Sequence, residues 1–260
     1  REEVRTWLGP ELARRAVIKD PRTVWFTDLW LETARSLGAT PACLTMLRHP
    51  AEVVGSRDTH YGKNATVEQR RQREVANVAG WVNVALVNER LTRDSARTFL
   101  HYTDLTTDWR KALGGVDERL SLGLPIDDPE AARSIDDFID VSLHRTRLTW
   151  DDLDVPPYLR DLAEAVWQNL ADLAEGSRAG DEISRSMDSL REDYDTAYAH
   201  AVAFARDHID ARVRAARRKA QRQASAGAQE PSPTTSRAGV ARARVTGALR
   251  RVRRKLRRTG

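Results

Sequence analysis

The chain has 260 residues, 40% of them apolar and 31% charged, with only 14 Gly and 10 Pro, which suits a helix-rich globular protein and excludes a collagen-like, disulfide-stapled or disordered one. No apolar run reaches the ~18 residues that a membrane-spanning helix needs. The lone cysteine, Cys43, excludes an internal disulfide and a thiolate zinc cluster, and fits a reducing cytoplasm. The net charge of +5 is unevenly spread: residues 206–260 carry 17 Lys/Arg against 3 Asp/Glu, and residues 1–205 carry 26 against 35. An acidic body therefore bears a basic tail.

The chain opens at Arg1 with no signal-peptide pattern, and the expectation is that it continues upstream. Ala16-Val17-Ile18-Lys19 is a short apolar run that stops at Asp20-Pro21, which predicts a buried strand ending in a loop. From Val24 to Leu37 the positions Phe26, Leu29, Trp30, Ala34 and Leu37 follow helical spacing, and Gly38 supplies a stop. Ala42–Leu47 predicts a second strand, and Pro50 stands where the first turn of a helix accepts proline.

Thr66 to Thr92 predicts a long helix with Val75, Val78, Ala79, Val82, Leu86 and Val87 on one face. Thr98–Tyr102 predicts a third strand, followed by Asp104 as a cap and a short helix around Trp109. Strands alternating with helices at this spacing predict an α/β layer with a parallel sheet. Ligands of such sheets sit at the carboxyl ends of the strands, where Lys19-Asp20, Arg48 and Tyr102 all fall.

Beyond residue 125 the pattern is helical. Pro156-Pro157 introduce a helix to about Glu175, and a longer one covers about 181–220. Within the latter, Met187, Leu190, Tyr194, Ala197, Ala201, Phe204 and His208 form a seam suited to a helix partner, either the protein's own body or a second copy. Residues 224–236 read as a low-complexity linker. In 237–260, ten basic and no acidic side chains accompany Val245, Leu249, Val252 and Leu256 at helical spacing. That pattern reads as an amphipathic tail for an anionic membrane or polyanion, or as a disordered solubilising segment. A peripheral place at the inner membrane face is the matching expectation, and no base-reading module for nucleic acid is present.

The sharpest local signal is Arg48-His49-Pro50 with Ser56 eight positions after the arginine, between a strand and a helix. Arg48 at a strand end can grip a phosphate with two parallel hydrogen bonds, and a helix start adds free backbone N–H groups. The bland alternative is a strand–loop–helix with a surface arginine and a helix-start proline.

Together with Lys19-Asp20-Pro21-Arg22 upstream and Tyr102-Thr103-Asp104-Leu105 downstream, this ordered set resembles the sulfotransferases that use 3'-phosphoadenosine 5'-phosphosulfate (PAPS), in particular their bacterial branch. The resemblance covers about residues 10–125. It implies a parallel sheet flanked by helices in the manner of P-loop nucleotide kinases, followed by a helical C-terminal half. By the same resemblance, residues 1–125 are a partial α/β domain, continued by the helical region 126–223.

The resemblance also implies that Arg48 and Ser56 bind the 3'-phosphate of the nucleotide and that Tyr102 lies near the adenine. Lys19 matches the position beside the transferred sulfuryl group, and Asp20 is a candidate base or a cap of the following helix. The implied reaction carries a sulfuryl group from PAPS to a hydroxyl-bearing acceptor such as a carbohydrate, releases adenosine 3',5'-bisphosphate (PAP), and needs no metal. Residues 1–10 hold one glycine and no Gly-x-x-x-x-Gly-Lys pattern, so the phosphate loop of that family is expected upstream and the chain by itself is expected to be inactive. A non-catalytic relative acting through its helices and basic tail is the alternative, and a nucleotide kinase lacks its phosphate loop here equally.

Overall fold

Asp20 and Thr23 decide how the first part of the chain folds. In the computed structural model, which describes residues 2–12, 16–61, 66–139 and 148–227 and leaves out the side chains of 56–61 and 224–227, helix α1 covers Glu2–Glu11 and Ala16–Asp20 has no regular structure. Asp20 accepts the Arg22 backbone N–H on its side chain at 2.8 Å, and its carbonyl accepts the Thr23 N–H at 3.1 Å and hydroxyl at 2.7 Å. This turn feeds a 3-10 turn at Thr23–Phe26 and then helix α2, Thr27–Ser36. Helix α2 stops where Leu37 N–H turns back to the Thr33 and Ala34 carbonyls and Gly38 takes φ +81°, a conformation that suits glycine.

Strand β1 is Ala42–Leu47, and helix α3, Pro50–Tyr61, follows it. Gly55 of α3 lies against the Leu148 side chain, so that a Cβ there would occupy the space of that leucine. Helix α4, Val67–Thr92, begins with a reciprocal cap: Thr66 Oγ1 accepts from Gln69 N–H, and the Gln69 side chain accepts from Thr66 N–H. Its Val78, Val82 and Leu86 are buried, as their spacing predicts. Strand β2, Ala96–His101, then runs parallel to β1 with Ala42 opposite Ala96 and Leu47 opposite His101.

Helices α5, Tyr102–Thr107, and α6, Trp109–Leu120, follow. The cap of α6 is Asp108, which accepts from Lys111 N–H, and not Asp104. Helix α7, Pro129–Phe138, is capped by Asp128. A 3-10 turn at Trp150–Asp152 leads to helix α8, Pro157–Glu175, which has proline in its first turn and Gly176 after its last. Helix α9 covers Gly180–Gly227.

The core joins α4, α8 and one sheet face: Val78, Val82, Phe99, Leu162, Val166 and Met187 belong to one buried cluster. Two carboxylates lie inside it at the edges. Glu89 is fully buried and accepts from Arg93 at the end of α4 (2.7 Å), Arg97 of β2 (3.2 Å) and Ser184 of α9 (3.3 Å). Glu74, 1% exposed, accepts from Arg70 at 2.6 Å and from the Asp154 backbone N–H at 2.8 Å. Charged hydrogen bonds of this kind are what make a buried carboxylate tolerable.

Two corrections follow for the expected fold. The molecule is helix-dominated, with a two-stranded parallel sheet among the described residues, and not an α/β layer of the P-loop nucleotide-kinase kind. The strand expected at Ala16–Lys19 does not form. Val17 is 89% and Ile18 41% exposed, so the run buries no apolar face, and it pairs with neither strand of the sheet. The sheet also lacks a full second layer. Asn88 of α4 reaches Thr45 on one face, and Arg119 of α6 reaches Thr98 on the other, but Leu44 and Met46 of β1 remain exposed.

The chain divides into two compact units, Arg1–Ala203 and Phe204–Gly260. In the first, the seam read from the sequence packs on the body at Met187, Leu190 and Tyr194, with Ile183 beside them, is half-buried at Ala197 and is exposed at Ala201. In the second, residues 204–223 form one exposed stretch of helix, with Phe204 and His208 in water. Of the linker expected at 224–236, residues 224–227 belong instead to the end of α9, and its remainder and the basic tail 237–260 lie outside the described residues. No helix among the described residues is long and apolar enough to cross a membrane.

Candidate functional site

The parallel register carries Arg48 and Tyr102 out of adjacent strands side by side, one residue beyond the Leu47–His101 pair. The Arg48 guanidinium carbon stands 5.3 Å from the centroid of the Tyr102 ring, within the range of a cation–π contact. Its Nε donates to Glu52 Oε2 at 3.1 Å, one turn into α3, and both side chains are largely buried. Sheet, ring and carboxylate thus fix one cation beside the first turn of α3. Ser56 falls in α3, but its side chain lies outside the described residues.

A second cluster stands at the same strand ends. The His49 ring is held at both nitrogens: Nδ1 accepts from the Ala51 backbone N–H at 3.3 Å, which leaves Nε2 to donate to Glu164 Oε2 at 3.2 Å. The same Glu164 oxygen accepts from Trp150 Nε1 at 2.9 Å. The rings meet edge to face, with His49 at 5.6 Å from Trp150 and 5.4 Å from Trp167, and His101 at 5.4 Å from Trp167. His49 is therefore a peg that ties the end of β1 to α8. The His101 ring makes the Trp167 contact and no hydrogen bond among the described residues.

Lys19 and Asp20 are not brought to this place by any hydrogen bond or ion pair. Lys19 is exposed, and Asp20 pairs with its own neighbour: Arg22 Nε donates to Oδ1 at 2.9 Å and Nη2 to Oδ2 at 2.6 Å. These side-chain bonds, then the Arg22 backbone bond, lower the Asp20 pKa from 3.8 to about 2. A carboxylate so held is a weak base.

A further open concavity of about 430 Å³ lies between Thr106–Arg110 and Asp136 with Ile139. There Asp136 accepts from Trp109 Nε1 (2.8 Å) and from both terminal nitrogens of Arg110 (2.8 and 2.6 Å), which hold its pKa at about 2 and neutralise the arginine. No group of three or more His, Cys, Asp or Glu side chains that could hold a metal occurs among the described residues.

Glu164, Trp150, Trp167 and His101 were not singled out by the sequence. Glu164 lies 115 positions from His49, and nothing in a linear pattern marks a pairing over that distance. The sequence and the fold match no family model, no curated protein and no solved structure.

Proposed function

We propose that the chain binds an adenine nucleotide bearing a 3'-phosphate, of the PAPS class, at the carboxyl ends of β1 and β2, and takes part in sulfuryl transfer to a hydroxyl-bearing acceptor such as a carbohydrate. The observation that carries this reading is the pairing of Arg48 with the Tyr102 ring beside the first turn of α3. Arginine supplies planar donors for a phosphate and the tyrosine offers a face for the base, whereas the first N–H groups of α3 are already engaged, Ala51 by His49 Nδ1 and Val53 by the His49 carbonyl. This reading rests on the residues at the strand ends and not on the overall architecture.

In the reaction the acceptor oxygen forms a bond to sulfur as the bond from sulfur to the departing phosphate oxygen breaks. PAP leaves with that electron pair, and the acceptor's proton passes to a base. Cations placed around the sulfuryl group stabilise the charge that builds on the bridging oxygen. The resemblance gives that role to Lys19, which is exposed and which no described bond fixes at the strand ends. Asp20, clamped by Arg22, gives way as the base to His101, because both His49 nitrogens are engaged and the His101 ring nitrogens are not.

A second reading is favoured by the Asp20–Arg22 pair and the irregular backbone of Ala16–Asp20: the chain binds the nucleotide without catalysing transfer. Calorimetric titration with PAP, and with AMP as the analogue lacking the 3'-phosphate, tests both. We expect PAP to bind at least about tenfold more tightly, a difference of ~1.4 kcal/mol, and Arg48→Ala to abolish the preference. Equal or absent binding of the two nucleotides overturns the proposal. PAP preference without turnover of PAPS selects the second reading.

A further inference from the structure

Residues 204–223 form a helix that is exposed at every position. At 3.6 residues per turn, Ala205, Ile209, Val213, Ala216 and Ala220 share one stripe, and Ile209 and Val213 are 57% and 43% exposed. Arg206 and Arg217 border the stripe on one side, with Arg212 and Lys219 on the other. Across these twenty positions stand seven cations and two carboxylates, Asp207 and Asp210. The described ion pair among them is a loose one, Arg214 to Asp207 at 4.0 Å. The sequence continues in the same sense, with ten basic and no acidic side chains in 237–258.

We infer that residues 204–223 dock in the plane of an anionic lipid surface, with Ile209 and Val213 in the boundary between headgroups and acyl chains and the flanking cations among the lipid phosphates. Charge chooses between this surface and its rivals. Antiparallel pairing of two copies about Ile209 sets Arg206 against Arg212 of the other copy, and parallel pairing sets each cation beside its own copy. Both orders place like charges along the seam. A nucleic acid would satisfy the cations and leave Ile209 and Val213 in water. An anionic bilayer engages both the cations and the stripe, and long basic side chains bordering an apolar face reach headgroups while their stems stay in the boundary. The inference does not depend on the nucleotide reading, because no strand-end residue enters it.

The test is cosedimentation of the full chain with vesicles of phosphatidylcholine alone and with about 30 mol% phosphatidylserine added. Binding at least about tenfold stronger to the anionic vesicles, weakening as salt shortens the ~10 Å screening length at 0.1 M, is the expected result. The pair Ile209→Ser and Val213→Ser leaves the charge unchanged and is expected to lower that binding about tenfold, as is Arg212→Gln with Lys219→Gln. Circular dichroism and an unchanged urea midpoint verify that each variant is folded. Vesicle binding that ignores the serine pair overturns the inference, because the apolar stripe then takes no part. A DNA duplex bound as tightly as the vesicles and indifferent to the serine pair overturns it in favour of nucleic acid, and a dimer in sedimentation velocity lost in the serine pair overturns it in favour of self-association.

Discussion

Two arginine-containing stretches were expected to meet one nucleotide, and the structure treats them differently. Arg48 leaves a strand whose position is set by a parallel ladder, and it lies over an aromatic ring from the adjacent strand. Arg22 sits in a turn, 81% exposed, and closes on Asp20 two residues earlier. Both are paired with carboxylates, but the Arg48–Glu52 pair is largely buried and fixed by sheet and helix, whereas Asp20–Arg22 answers only to its own turn. Of the two arginines, Arg48 alone is held in place by something other than its counter-ion.

The largest test of this contrast strikes what supports the ladder. Arg97 belongs to β2, and its partner Glu89 also gathers Arg93 and Ser184, so one buried carboxylate joins β2, α4 and α9. Glu89→Ala leaves two arginines facing a buried vacancy and is expected to cost about 3–5 kcal/mol in urea unfolding. Asp20→Asn, which removes a solvent-screened pair, is expected to lower the urea midpoint only slightly. An equal response to the two substitutions breaks the comparison.

The next effect is on binding. With PAP as the titrant, Arg48→Lys is expected to keep part of the affinity that Arg48→Ala loses, because lysine restores charge but not the planar pair of donors. Arg22→Ala is expected to change nothing in the same titration. A smaller effect of opposite sign sharpens the point: Glu52→Gln removes the carboxylate that competes with a phosphate for Arg48, and PAP affinity is expected to rise about threefold to tenfold. A fall in affinity means that Glu52 serves Arg48 by orientation alone.

The difference between the two stretches was only partly legible. Strand β1 was readable to the residue, because its short apolar run ends at Arg48-His49-Pro50, where a helix starts. Helix α4 was readable from its valine spacing, and α8 from Pro156-Pro157. The supposed strand at Ala16–Lys19 was misread because four residues of apolar pattern do not by themselves show that a neighbouring strand is there to pair with, and Val17 and Ile18 face water instead. Buried Glu74 and Glu89 were invisible because a charged residue on a helix reads as solvated until its partners from other elements are known. That Arg48 and Tyr102 stand together was legible from their places at the ends of adjacent strands. The Glu164 peg and its tryptophans were not, because only the packing of α8 brings them to β1.

The smallest effect is the one that isolates the Asp20–Arg22 turn. The folded Asp20 pKa of about 2 lies below the ordinary 3.8, so the pair's contribution to folding is complete above 3.8 and is lost as pH falls through about 2. Because both groups face water, salt should weaken that contribution. A carbon-13 titration of the Asp20 carboxyl is expected to give a midpoint near 2 in the parent and to return to the ordinary range in Arg22→Ala. The same titration in saturating PAP then asks whether the turn joins the nucleotide site. A midpoint that stays near 2 keeps Asp20 bound to Arg22 and out of proton transfer. A midpoint that rises on adding PAP means the nucleotide has drawn Arg22 away, which places the turn at the strand ends and restores Asp20 beside the reacting groups.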